Sequence, residues 1–157
     1  LPNRLTTTQF NLIDSHDIGR FHTQREIFHK QWYRGMISLG FLLPGAFSIY
    51  YGDEILLDGD PTTIEGCRYP MLWDKNRWDK EVFSWYRRLA HWKKDSLALQ
   101  EGSFRVLQTG KHYLVVARFT MQEGWVLAFS NGEEEEESRE EEGKPEKAAA
   151  GAVHGAA

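Results

Sequence analysis

Apolar residues recur at three- and four-residue intervals after Thr23: Ile27, Phe28, Trp32, Met36 and Leu39, with Arg25, Glu26, Lys30 and Arg34 largely between them. That period describes one face of an α-helix. Thr23 followed by Glu26 offers a capping box for its start. Pro44 and Gly45 stop it, because proline disfavours helical geometry at the residue before it. The pattern then changes. Ala46 to Tyr51 is apolar without alternation, as in a parallel strand covered on both faces, and Gly52-Asp53-Glu54 closes it. Upstream, Gln9 to Asp14 is a shorter strand candidate that runs into the polar cluster Asp14-Ser15-His16-Asp17. Asp58 to Gly66, rich in Asp, Gly, Pro and Thr, reads as a loop. The helical period returns from Lys80 to Asp95, with Val82, Phe83, Trp85, Tyr86, Leu89 and Trp92 on its apolar side.

After Leu99 the period shortens. Ser103 to Leu107, His112 to Phe119 and Trp125 to Ser130 are β-branched or aromatic and separated by Gly110 and Gly124, which predicts an antiparallel meander. A domain boundary is therefore placed near Ser96, where strand-helix alternation gives way to hairpins. From Glu133 the chain is rich in Glu, Ala and Gly and carries no aromatic residue, so it is expected to be disordered. A single acidic helix over Glu133 to Glu142 is the alternative, opposed by like charges at helical spacing.

Composition narrows the partners more than the fold. A length of 157 residues with 41% apolar content suffices for a core. The net charge of −4 argues against nucleic acid, which needs basic surface to neutralise phosphates. Met36 to Tyr51 is shorter than the roughly 20 residues of a membrane span and is divided by Pro44-Gly45, so no membrane segment is expected. One cysteine, Cys67, excludes an internal disulfide and fits a reducing compartment. Leu1 to Thr8 has no signal-peptide character, and a start at Leu1 suggests a cut chain. Cytoplasm is favoured over secretion, with the compartment left open. No cofactor is expected. Asp58 and Asp60 are the calcium candidates, but two carboxylates in a Gly-Pro loop are usually turn formers, and calcium takes about six or more oxygens.

His16 and Asp17 are the first chemistry of note. A strand delivers them at its carboxyl end, where α/β barrels place reactive groups. On its own such a pair more often caps a turn or forms a surface ion pair. Its surroundings add more. Asn11-Leu-Ile-Asp-Ser-His-Asp-Ile-Gly-Arg-Phe21 resembles the end of the seventh barrel strand in the alpha-amylase family, and its Ser-His-Asp form is similar to the neopullulanase and cyclomaltodextrinase branch. Pro44-Gly-Ala-Phe-Ser-Ile-Tyr-Tyr-Gly-Asp-Glu54 resembles that family's eighth strand and its exit. Cys67-Arg-Tyr-Pro-Met-Leu-Trp-Asp74 resembles its Cys-Arg-x-Pro-Met-x-Trp loop, and Trp85 to Leu107 resembles the last barrel helix leading into a β-domain.

The resemblance covers about Phe10 to Asn131. It implies an α/β fold: the last two strand-helix units of a TIM (β/α)8 barrel over 1–95, a truncated antiparallel β-domain over 96–132, and the acidic tail over 133–157. It implies that Asp17 is the carboxylate stabilising an oxocarbenium-like transition state and His16 a neighbouring hydroxyl ligand. Arg20 matches the family's arginine, with a subsite or a structural role. Arg68 is implied to bind sugar at a neighbouring subsite, although Ile64 stands where related enzymes carry a partner aspartate, leaving Glu65 or Asp60 as substitutes. Asp53 and Glu54 are expected to be structural. Trp73 and Trp78 are candidates for sugar stacking, with packing favoured.

The implied substrate is an α-glucan oligosaccharide of the maltodextrin type. The implied reaction is retaining hydrolysis, which needs a nucleophile and an acid/base carboxylate about 5 Å apart. No segment resembles the motifs that carry those two, so the chain is expected to lack them, together with the N-terminal part of the barrel, and to be inactive alone. A catalytically inactive ancillary or sugar-binding relative is the alternative, and a split enzyme completed by a second chain is a third. Two barrel strands cannot close a sheet, so apolar edges are expected to stay uncovered.

Overall fold

The computed structural model describes residues 3–23, 29–60, 62–63 and 65–130. The proposed capping box at Glu26, the helix residues Arg25, Ile27 and Phe28, Ile64 and the acidic tail lie outside the described residues.

Two layers follow from the sequence periods. A four-residue turn of helix, α1 (Asn3–Thr6), leads into β1 (Phe10–Leu12); α2 (Lys30–Leu42) leads into β2 (Ala46–Ser48). After a loop come α3 (Lys80–Asp95), the short α4 (Leu97–Glu101) and the strands β3 (Ser103–Thr109), β4 (Tyr113–Phe119) and β5 (Gly124–Ser130). β1 and β2 pair in parallel, Phe10 with Ala46, Asn11 with Phe47 and Leu12 with Ser48. The other three strands form an antiparallel sheet in the order β3-β4-β5, with an irregularity between Val106 and Gln108. Among the described residues no helix is long and apolar enough to cross a membrane.

The helix α3 starts where its side-chain chemistry says it should. Asp79 accepts a hydrogen bond from the Val82 amide at 2.9 Å, satisfying one of the first-turn donors, and Lys93 and Lys94 occupy the last turn against the helix dipole. Its apolar side packs on α2 through Tyr33, Ile37, Phe41, Val82, Tyr86 and Leu89. Fully burying each large apolar side chain is worth about 1.5–3 kcal/mol, so this seam is the main stabilising contact of the helical layer.

Two expectations need correction. The buried face of α2 is Tyr33, Ile37 and Phe41, one position on from Trp32 and Met36 and two on from Leu39, all three of which are only half-buried. Tyr33 takes the interior because its hydroxyl finds partners there, lying 3.0 Å from the Tyr86 hydroxyl and donating to the Asp53 carbonyl at 3.2 Å. The strands are also shorter than the apolar runs that predict them, and β2 is not covered on both faces. Phe10 is 69% exposed, Leu12 47% and Ile49 40%, and among the described residues no further strand lies beside β1 or β2.

A second cluster, Leu42, Leu99 and Val116, lies under the antiparallel sheet with Phe104, Trp125 and Leu127 around it. The junction is polar and mostly paired, though one buried terminal nitrogen of Arg118 has no hydrogen-bond partner. Ser96 Oγ accepts from the Leu99 amide at 3.2 Å and from Trp125 Nε1 at 2.8 Å, and donates to Glu123 at 2.8 Å. The last carbonyls of α2 are capped by cations from two other elements. Lys93 donates to Phe41 at 3.0 Å and to Leu43 at 3.1 Å, while Arg118 of β4 donates to Leu42 at 2.8 Å.

The turn from α2 into β2 depends on a glycine. Gly45 has φ +92°, and a Cβ placed there would stand 2.2 Å from the Gln9 carbonyl oxygen, which itself accepts the Ala46 amide at 2.9 Å. Gly45→Ala is therefore expected to destabilise the protein by more than about 1 kcal/mol, read as a lowered thermal midpoint. An unchanged midpoint would contradict this account of the turn.

Candidate active site

Both strands of the parallel pair release their chains at the same edge, and the loops they release are tied together there. The loop after β1 is closed by Asp14, whose two carboxylate oxygens each lie 3.0 Å from the Phe21 amide that donates to them. Within it the Asp17 amide donates to Ser15 Oγ at 3.3 Å. This short-range bonding turns His16 and Asp17 outward, and Asp17 is 71% exposed. His16 Nε2 lies 3.3 Å from Asp17 Oδ1, and Arg68 Nη2 donates to that same oxygen at 3.0 Å. Three of the four residues that the sequence singles out thus converge on one carboxylate.

Arg20, the fourth, faces the other way. Its side chain is fully buried; Nη1 donates to Asp53 Oδ1 at 2.5 Å and Nη2 to the Tyr51 carbonyl at 2.7 Å. The guanidinium lies 4.6 Å from the Tyr50 ring centroid and 5.2 Å from that of Tyr51. Both terminal nitrogens are committed to the exit of β2, while the buried Nε has no hydrogen-bond partner. Asp53 is likewise buried, and Glu54 accepts the Gly52 amide at 2.8 Å, so both acids serve the strand exit.

The loop carrying Arg68 hangs from two consecutive tyrosines. Tyr50 donates to the Cys67 carbonyl at 3.0 Å, and Tyr51 to the Tyr69 carbonyl at 2.6 Å. Asp60 is engaged by the Thr62 amide at 2.8 Å and the Thr62 hydroxyl at 2.7 Å, a turn-forming arrangement, and those bonds lower its pKa. Glu65 is exposed, and the bonded partner of Arg68 is Asp17. Trp78 packs on Phe83 at 5.0 Å and donates to the Leu72 carbonyl, whereas Trp73 is 78% exposed. An open cleft of about 670 Å³ lies along the second loop, lined by residues that include Thr23, Leu57, Asp58, Tyr69 and Met71; Asp17 and Arg68 do not line it.

Behind the exposed residues sits a buried polar layer that the sequence pattern does not announce: Asp14, Arg20, His22 and Asp53. Burial raises the pKa of Asp53, and the negative charge of Asp14 adds to the rise, while Arg20 opposes it. Burial likewise raises Asp14, against the Phe21 amide. Burial lowers His22, with Asp58 at 3.5 Å and Asp14 pulling the other way. The only local signal for this layer is the density of Asp and His immediately after a strand.

No family model matches the chain. It is 36% identical over 118 residues to a cyclomaltodextrinase from a Bacillus species, matching 74% of this chain and 20% of that protein. It is 32% identical over 125 residues to an intracellular maltogenic amylase from Bacillus subtilis, matching 78% of this chain and 21% of that one. In three dimensions it superposes on a solved cyclomaltodextrinase with a TM-score of 0.74 at 32% identity, covering 83% of this chain and 22% of that chain. The chain therefore spans about a fifth of the length of the curated relatives it matches.

Two outcomes are expected from the buried layer. Arg20→Leu leaves Asp53 without its cation and should cost about 3–5 kcal/mol of stability in chemical denaturation, far more than an exposed arginine would. The folded-state pKa of His22 lies below its ordinary 6.5, so between the two values the unfolded chain binds a proton that the folded one refuses. The contribution of His22 to stability should fall as the pH drops below 6.5, so the slope of stability against pH there should be less positive in His22→Asn. An equal slope in the variant would place the dependence elsewhere.

Proposed function

Because the chain belongs to the alpha-amylase family of glycoside hydrolases, on its neopullulanase and cyclomaltodextrinase branch, we propose that it supplies the closing part of that family's catalytic barrel. On this reading residues 1–95 are the last two strand-helix units of a (β/α)8 barrel, 96–132 the start of its C-terminal β-domain, and 133–157 an acidic tail. The reaction is hydrolysis of α-glucosidic bonds in maltodextrin-type oligosaccharides with net retention. The names of the relatives, cyclomaltodextrinase and maltogenic amylase, support the substrate class.

One observation carries the reading: an exposed carboxylate, Asp17, stands at the shared carboxyl edge of two parallel strands with His16 and Arg68 bonded to it. The strand carboxyl end is where barrel enzymes hold reacting groups. In a glycosidic transition state positive charge develops at the ring, and hydrogen bonds to the sugar 2-hydroxyl strengthen as it forms. Asp17 supplies the fixed anion and the hydroxyl acceptor, His16 a second hydroxyl ligand, and Arg68 a donor for a neighbouring ring. The nucleophile and the acid/base, about 5 Å apart in a retaining enzyme, come from barrel strands outside these 157 residues.

Asp17→Asn, made in the protein that carries the whole barrel, should lower kcat on maltotriose by about 10²–10³-fold, with an unchanged circular-dichroism spectrum. Turnover within about threefold of the parent would remove Asp17 from its role.

A further inference from the structure

Resting on that reading of Asp17, we propose that Tyr50 and Tyr51 are positioning residues, a two-hydroxyl bracket that fixes Arg68 against the catalytic carboxylate. Neither touches substrate. The bracket is defined by the covalent neighbours of Arg68: Tyr50 donates to the carbonyl of Cys67, one residue before it, and Tyr51 to the carbonyl of Tyr69, one residue after it. The Arg68 amide is held as well, donating to the Glu65 carbonyl at 3.0 Å. The backbone carrying an exposed cation is thus pinned on both flanks. A long side chain on a surface loop otherwise spends its freedom among rotamers, and an exposed pair such as Arg68 with Asp17 contributes little unless its geometry is imposed.

The bracket is itself held from behind. The two rings meet edge to face at 4.8 Å, and the Arg20 guanidinium lies over both. Arg20 also donates to the Tyr51 carbonyl and to buried Asp53, so the tyrosines project from the most constrained segment of the site. The geometry runs without a gap from buried Asp53 through Arg20 and the tyrosines to Arg68 and Asp17. Rigidity at the strand exit is converted into a fixed place for an exposed charge on the neighbouring loop.

A double-mutant cycle on the protein with the whole barrel tests this, with maltotriose as substrate. Tyr50→Phe with Tyr51→Phe keeps both rings and removes only the hydroxyls. With Arg68 present, kcat/KM should fall about tenfold. In an Arg68→Ala background the same two changes should cost about twofold or less, because the group they position is gone. Equal factors in both backgrounds would make the tyrosines merely structural, and no fall with Arg68 present would sink the bracket outright. Should the double change lower the thermal midpoint, the single variants Tyr50→Phe and Tyr51→Phe carry the same cycle. Full turnover by Asp17→Asn removes the reading beneath; equal factors with an inactive Asp17→Asn remove the bracket alone.

Discussion

The contact between Arg20 and Asp53 joins two pieces of chain that sequence separates and the parallel pair brings to one edge. Arg20 belongs to the loop that follows β1, and Asp53 to the turn that ends the run after β2. Both side chains are removed from water, a desolvation that would be costly if either stood alone. The remaining valences explain how it is tolerated. Arg20 uses a second nitrogen on the Tyr51 carbonyl and lays its face over two rings, and the Asp53 backbone carbonyl accepts the Tyr33 hydroxyl. Tyr33 is part of the α2 face packed on α3, so the pair is anchored in the main seam of the helical layer.

From that pair outward, order decreases in steps. Asp14 and His22 stand beside it, buried; Tyr50 and Tyr51 are partly open; His16, Asp17 and Arg68 are in solvent. The proposed sugar chemistry rests on the last group, but side chains in water keep one geometry only if something behind them does not move. The division of labour between Arg20 and Arg68 follows. The sequence offers Arg20 for a subsite or a structural role and Arg68 for a subsite, and burial separates them: Arg20 is buried against Asp53, while Arg68 faces solvent with a carboxylate partner.

Much of this was legible in the chain. The amphipathic period gave α3 over Lys80–Asp95 as observed, and the β-branched runs gave the three meander strands to within two residues at most. A parallel strand at Ala46 also follows from the unbroken apolar run there, and the pairing of β1 with β2 agrees with it. The face of α2 is turned from the expected one by one to two positions, because a period of hydrophobicity counts tyrosine as ambiguous. It cannot see that the Tyr33 hydroxyl will meet Tyr86 and Asp53 from other elements. Asp14 and His22 escaped for the same reason. Their burial depends on partners far along the chain and on a turn whose amide needs an acceptor, none of which has a local signature. Tyr50 and Tyr51 read as strand residues until the carbonyls they bond are placed in space.

Trp92 has a place in both apolar clusters, its ring 6.0 Å from Trp85 on one side and 5.3 Å from Trp125 on the other. A shift in residue pattern near Ser96 suggests two parts, yet one indole is shared by their interiors. Melting the meander would strip that indole of half its surroundings and so weaken the helical layer in the same event. Packing therefore runs continuously through a point where composition alone would draw a border, and the stability of each layer is tied to that of the other.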